Sequence, residues 1–217
     1  MPSRYDLLIF DWDGTLANSI GRIVEAMKVA ALARGHAPRD ALAVKAIIGL
    51  SLSEAISVLY PALGVDEIAA FRQSYADAYT ALDVQPSPLF PGVREGLQAF
   101  REQGYRLAVA TGKARRGLDR VLQANGWTDF FDITRAADET QGKPHPLMLQ
   151  EILAHCQVGA ERAVMVGDAV FDLQMAHSAG MHCVAVGYGA LPLSALREFN
   201  PTHTVEDFFE LRRWLEN

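Results

Sequence analysis

Cysteine is scarce in this chain of 217 residues, with only Cys156 and Cys183 present. Two thiols without metal-ligand spacing exclude a disulfide framework and a thiolate metal site; two reduced, partly buried side chains are expected. Long apolar runs are missing as well, since none approaches the roughly 18 residues needed to cross a bilayer. The opening Met1-Pro2-Ser3-Arg4-Tyr5-Asp6 also lacks the layout of a signal peptide, so a cytoplasmic protein is expected. Positive charge is in deficit: 20 Lys and Arg stand against 26 Asp and Glu, for a formal net charge of −6. That balance argues against bulk attraction to nucleic acid or to an anionic membrane, while a local positive pocket for a small anion stays possible. Neither low-complexity segments nor internal repeats are visible.

What is present suits a compact enzyme or binding domain: 50% of residues are hydrophobic and 21% charged. Single cores stop growing at roughly 250 to 300 residues, so the length fits one large domain or a main domain with a smaller insert. The chain opens with Leu7-Leu8-Ile9-Phe10, which runs straight into Asp11-Trp12-Asp13-Gly14-Thr15. Such a continuous apolar run reads as a strand buried on both faces, as in parallel sheets. Asp11 and Asp13 then stand at a sheet's carboxyl edge, where open α/β sheets bind ligands. Alternation puts the two carboxylates on one side and Trp12 on the other. A plain polar turn is the competing explanation for Asp-x-Asp-Gly.

After Thr15 the period changes to that of helices. Ile20, Ile23, Val24, Met27, Ala31 and Leu32 recur behind a cap at Asn18 or Ser19, and further helices are expected over 39–48, 53–60 and 65–82. Turn signals at His36-Ala37-Pro38, Gly49 and Pro61 to Gly64 separate them. Residues 16–86 therefore read as an all-helical insertion, closed by the linker at Pro86, Pro88 and Pro91-Gly92. From there helix and strand alternate, with strands expected at 105–110, 130–134, 163–166, 182–186 and 203–205. Helices are expected at 92–103, 114–125, 144–156 and 171–179, with a last one running to Leu215. The fold class is α/β, a doubly wound parallel sheet of Rossmann-like form, built from 1–15 and 87–217 and carrying the inserted helical cap.

Polar groups collect at the predicted strand ends. Thr111-Gly112-Lys113 offers a hydroxyl and free backbone N–H groups just before a helix, a geometry that suits an anion as well as an ordinary helix cap. Asp168 and Asp172 are spaced four apart on an opening helix, where acidic groups also complement the helix dipole. Lys143 precedes a proline that can occupy a helix's first turn. Four carboxylates, one hydroxyl and one ammonium all at or beside the carboxyl ends of predicted strands are hard to reconcile with coincidence.

In this order, DWDGT, the Thr111 strand end, the Lys143 loop and GDAVFD, the chain resembles the haloacid dehalogenase superfamily of phosphohydrolases, and among them phosphoglycolate phosphatase and its relatives. The resemblance spans the whole core, and the insertion looks like that family's helical cap. It implies that Asp11 attacks phosphorus and forms an aspartyl-phosphate, while Asp13 serves first as general acid and then as base. It further implies Mg2+ held by Asp11, the backbone carbonyl of Asp13 and Asp168, with Asp172 supporting that shell. Thr111 and Gly112 would hold phosphoryl oxygens, and Lys143 would offset the gathered negative charge.

The turn around Gly49 and Ser51 resembles a substrate-specificity loop, although Gly49 also fits a helix end. Arg22, Lys45 and Lys113 are candidates for a substrate carboxylate or a second anion, each more often explained as a solvated side chain. His145 and His177 are left without a chemical role. Trp12 is bulkier than the residue common between the two aspartates, and Ala169 replaces a small hydroxyl residue; neither removes a catalytic group. The expected partner is a small phosphorylated metabolite, with no nucleic acid and no membrane, and the oligomeric state is open. A phosphomutase or pyrophosphatase of the same superfamily is the enzymatic alternative. A non-catalytic binding or regulatory module is the alternative outside enzymes.

Overall fold

The computed structural model describes residues 4–216; Met1 to Ser3 of the opening stretch, and Asn217, lie outside the described residues. In chain order the elements are β1 (Leu7–Phe10), α1 (Ile20–Ala33), α2 (Ala41–Lys45), α3 (Leu52–Leu59), α4 (Val65–Leu82) and α5 (Val93–Glu102). Then come β2 (Arg106–Thr111), α6 (Arg115–Asn125), β3 (Ile133–Ala136), α7 (Leu147–Cys156), β4 (Ala163–Gly167) and α8 (Val170–Ser178). The chain closes with β5 (His182–Val186), α9 (Leu193–Leu196), β6 (His203–Val205) and α10 (Phe208–Glu216). The six strands form one sheet in the order β3-β2-β1-β4-β5-β6, and every pairing is parallel.

The first apolar run is continuous because both faces of β1 are covered. Leu8 and Phe10 pack into a cluster with Leu97 and Phe100 of α5, Leu118 of α6 and Phe208 of α10. Leu7 and Ile9 point to the opposite cluster, with Met148 and Ile152 of α7 and Leu173 of α8. Strand order reverses between β1 and β4, so the carboxyl ends of these two strands meet at the switch point where doubly wound sheets open a crevice. A third apolar cluster, with Ile23, Met27, Ile56 and Phe71, belongs to α1–α4. There the helical period of the sequence becomes one buried face per helix.

Several expected bounds shift for identifiable reasons. The strand expected at 130–134 lies instead at Ile133–Ala136, with Ile133 opposite Ala108. Phe130 and Phe131 are used in the turn before it, where their rings meet Trp127 at centroid distances of 5.5 and 5.9 Å. The helix expected over 39–48 is only Ala41–Lys45, started where the Asp40 side chain accepts from Ala43 N at 2.7 Å. Tighter turns carry the chain from there to Gly49, through bonds such as Ile47 N to Val44 O at 3.3 Å. The helix expected from Pro144 begins only at Leu147, because Pro144 and Pro146 withhold two N–H groups and restrict the residues before them. The short α9 was not expected.

Candidate active site

The ends of β1 and β4 deliver the acidic groups. Asp11 follows β1 directly and donates its N–H to the Val166 carbonyl at 3.0 Å, while Asp168 follows the last residue of β4. Asp11, Asp168 and Asp172 each offer one carboxylate oxygen, and these oxygens lie within 4.8 Å of one another. Lys143 is fully buried among them. Its Nζ donates to Asp11 Oδ1 at 2.7 Å and to Asp172 Oδ1 at 2.6 Å. Asp172 serves two ends at once, since its Oδ2 accepts from Ala169 N at 3.1 Å in the first turn of α8. Asp172 therefore both caps the start of α8 and stands in the acidic cluster.

Asp168 is fixed from two sides, accepting from Thr15 Oγ1 at 2.8 Å and from Ala190 N at 2.7 Å. The Asp13-Gly14 turn passes hard against it. Gly14 has φ of 86°, and a Cβ there would lie 2.0 Å from Asp168 Oδ2, so no other residue fits. Asp13 stands outside the triad. Its Oδ1 accepts from Ser19 Oγ at 2.6 Å and its Oδ2 pairs with Lys113 Nζ at 3.0 Å. Ser19 thus occupies the cap position of α1 but makes no side-chain cap bond; its hydroxyl is spent on Asp13. The Thr111 hydroxyl is buried and accepts from Lys113 N at 3.2 Å.

Burial pushes the Asp11 carboxyl up to about 7 against the pull of Lys143. Burial, with the neighbouring charges of Asp11 and Asp172, holds Asp168 well above the carboxylate range. For Lys143 burial works the other way, but attraction to Asp11 and Asp172 wins and raises its proton affinity. For Lys113 burial likewise opposes the charge, and Asp13 followed by Tyr79 overcomes it. Three buried carboxylates thus share a single ammonium, an excess of negative charge that burial makes costly. Hard oxygen donors with uncompensated charge form the set a divalent cation fits.

The Gly49 turn lies directly on this site. A Cβ on Gly112 would come within 2.6 Å of the Gly49 and Leu50 carbonyl oxygens, and one on Gly49 would come within 3.2 Å of Ala169 Cβ. Ser51 caps α3 in a reciprocal box with Glu54, its hydroxyl donating to Glu54 Oε2 at 2.5 Å. Among the cationic candidates, Arg22 is paired with Asp83, Lys113 with Asp13, and Lys45 is half-buried. Sequence reasoning missed Thr15, the Ala190 N–H and Tyr79, whose ring centroid lies 5.0 Å from Lys113 Nζ. The spacing of Tyr75 and Tyr79 on one face of α4 was the available signal for the last. The loop amide of Ala190 left none.

With this geometry in view, similarity to known proteins carries weight. The model of the haloacid dehalogenase-like hydrolases matches residues 8–186. "Probable phosphatase IndB" of Dickeya dadantii is 38% identical over 211 residues, covering 94% of this chain and 91% of its own length. A phosphoglycolate phosphatase of Psychrobacter arcticus is 29% identical over 218 residues, covering 96% and 95% respectively. A solved hydrolase from Pseudomonas syringae shares the fold with a TM-score of 0.89 at 22% identity, over 97% of this chain and 98% of that one. The chain therefore belongs to the haloacid dehalogenase-like hydrolases, as a phosphatase of the phosphoglycolate phosphatase-like kind.

Proposed function

We propose that this enzyme hydrolyses a small soluble phosphomonoester, phosphoglycolate being the leading candidate, through a phosphorylated Asp11 and with magnesium in the acidic triad. The observation that carries the reading is the buried cluster at the switch point, with the Asp11 carboxylate 2.7 Å from Lys143 and grouped with Asp168 and Asp172. Asp11, Asp168 and the backbone carbonyl of Asp13 would hold the ion, with Asp172 beside them. Bound there, it would neutralise phosphoryl charge and orient the ester.

The protein's own groups then divide the work. Asp11 attacks phosphorus, and Lys143 draws off charge that would otherwise repel the incoming phosphoryl group. Thr111 and the Gly112 backbone hold phosphoryl oxygens. Asp13 gives a proton to the leaving alcohol and then takes one from the water that hydrolyses the intermediate. Residues 16–86 act as a cap, and the Gly49–Ser51 turn, seated on Gly112, limits the size of the alcohol. The substrate assignment draws on relatives named phosphoglycolate phosphatase.

The test is phosphate release from a panel of small phosphomonoesters and pyrophosphate with magnesium, for wild type and Asp11→Asn. Preference for phosphoglycolate that vanishes in the variant supports the reading in full. Preference for another monoester corrects the substrate, and release from none of them overturns the phosphatase assignment.

A further inference from the structure

One cation at the site is held in place from the helical layer. Lys113 follows β2, yet its ammonium lies 5.0 Å from the ring centroid of Tyr79 on α4 while pairing with Asp13 at 3.0 Å. Only 12% of the Lys113 side chain is exposed, and a desolvated ammonium over an aromatic face is held more firmly than an exposed one. The ring is itself fixed. Arg120 of α6 approaches Tyr79 with its Cζ at 5.7 Å and pairs with Asp83, just past α4, at 2.7 Å. Asp83 is also paired with Arg22, and the Tyr75 and Tyr79 rings lie 5.9 Å apart. The last turn of α4 is therefore clamped onto the core at the point where Lys113 reaches Asp13.

We propose that Tyr79 and Lys113 are positioning residues: the Tyr79 ring seats the Lys113 ammonium, which fixes the Asp13 carboxylate as the base for hydrolysis of the phosphorylated enzyme. The inference rests on the reading of Asp13 given above. In that step the water oxygen bonds to phosphorus as the bond from phosphorus to the Asp11 oxygen breaks. Asp11 departs with the electron pair as a carboxylate, and the water proton passes to Asp13. With Ser19 on one oxygen and Lys113 on the other, both Asp13 oxygens are held and the carboxylate is fixed in one orientation. Without the ring, Lys113 would take up the alternative rotamers of a long flexible side chain, and Asp13 would lose one of its two anchors.

The experiment is steady-state and pre-steady-state hydrolysis of p-nitrophenyl phosphate by the magnesium-loaded enzyme. Its leaving group needs no proton, so kcat/KM reports phosphorylation of Asp11, and a slowed second step appears in kcat alone. Tyr79→Leu and Lys113→Met are expected to lower kcat and KM together by about tenfold or more, with kcat/KM within about twofold of wild type. A burst of p-nitrophenol matching the enzyme concentration should accompany the fall. Tyr79→Phe, which keeps the ring face but removes the hydroxyl that also bonds Lys113, should recover part of the lost kcat. Equal losses in kcat and kcat/KM, or an unchanged kcat, overturn the inference. If Tyr79→Leu does not fold, Lys113→Met carries the same readout. Asp13→Asn separates the two layers of argument. It should show the same split more strongly, and its failure to do so would sink the role given to Asp13 and this inference with it. A split in Asp13→Asn without one in the positioning variants sinks the inference alone.

Discussion

Lys143 is held between two carboxylates with no exposure to water. Removing one partner of such a buried set leaves uncompensated charge and costs about 3–5 kcal/mol. Lys143→Met is therefore expected to lower the unfolding free energy by about 3 kcal/mol at pH 7 without metal, read by urea unfolding. Its turnover should fall by about a hundredfold or more, as for loss of a charge-stabilising group; an unchanged urea midpoint would contradict the geometry. Asp11 is the converse case. Its carboxyl is pushed up to about 7 by burial, so the fold disfavours the ionised form. Relative to an unfolded carboxyl near 3.9, that cost grows as pH rises toward about 7 and is complete above it. Asp11→Asn should therefore melt no lower than wild type at pH 8 without metal, while losing turnover. Activity within about tenfold of wild type would remove Asp11 as nucleophile, and a clearly lower melting point would show that its charge supports the fold.

Secondary elements with both faces covered were the easiest to read from sequence. Leu7 to Phe10 and Ala163 to Gly167 are uninterrupted apolar runs because helices cover both sides of the sheet, and the carboxylates that follow them inherit their place from the strand. The strand near Thr134 was harder. Phe130 and Phe131 have high strand propensity, but their packing on Trp127 decided their place, and propensity carries no record of such a partner. Asp11, Asp13, Lys143 and Asp168 could be singled out because each follows or precedes a recognisable element boundary. Tyr79 was harder, because the Tyr75–Tyr79 spacing marks one face of α4 but looks the same whether that face packs in a core or beneath an ammonium. The seating of the Gly49 turn on Gly112 was equally hidden, since it runs through backbone atoms. Gly112→Ala tests it, as the added Cβ would lie 2.6 Å from two carbonyl oxygens of the Gly49 turn. Carbonyls cannot move aside as a flexible side-chain tip can, so the turn must lift from the core. A displacement near 1 Å at a site can cost about a hundredfold in rate. The expected result is a loss in kcat/KM of that order with a melting point close to wild type. Wild-type kinetics would mean that the Gly49 turn need not sit on Gly112 for catalysis.

Across the molecule, the proposed cation at the switch-point cluster would tie stability to its binding. The triad draws Asp11 from the end of β1, Asp168 from the end of β4 and Asp172 from α8, and Asp168 is further bonded to Thr15 and to Ala190 beyond β5. Carboxylates from so many elements, sharing one ammonium, repel one another until a cation joins them. A ligand that binds only the folded state stabilises it by about 2.7 kcal/mol at a hundred times its dissociation constant. For a chain of this size each kcal/mol moves the melting point by about 2–4 °C. Magnesium at saturating concentration is therefore expected to raise the melting point of the metal-free protein by about 5–10 °C, and chelator should reverse the shift. Asp168→Asn keeps the size of the side chain and can still accept from Ala190 N, so it should fold. With one anionic donor gone and the remaining charge better balanced, its melting point should no longer respond to magnesium. A magnesium shift as large in Asp168→Asn as in wild type would place the ion elsewhere. A wild type indifferent to both magnesium and chelator would mean that Lys143 alone balances the buried carboxylates.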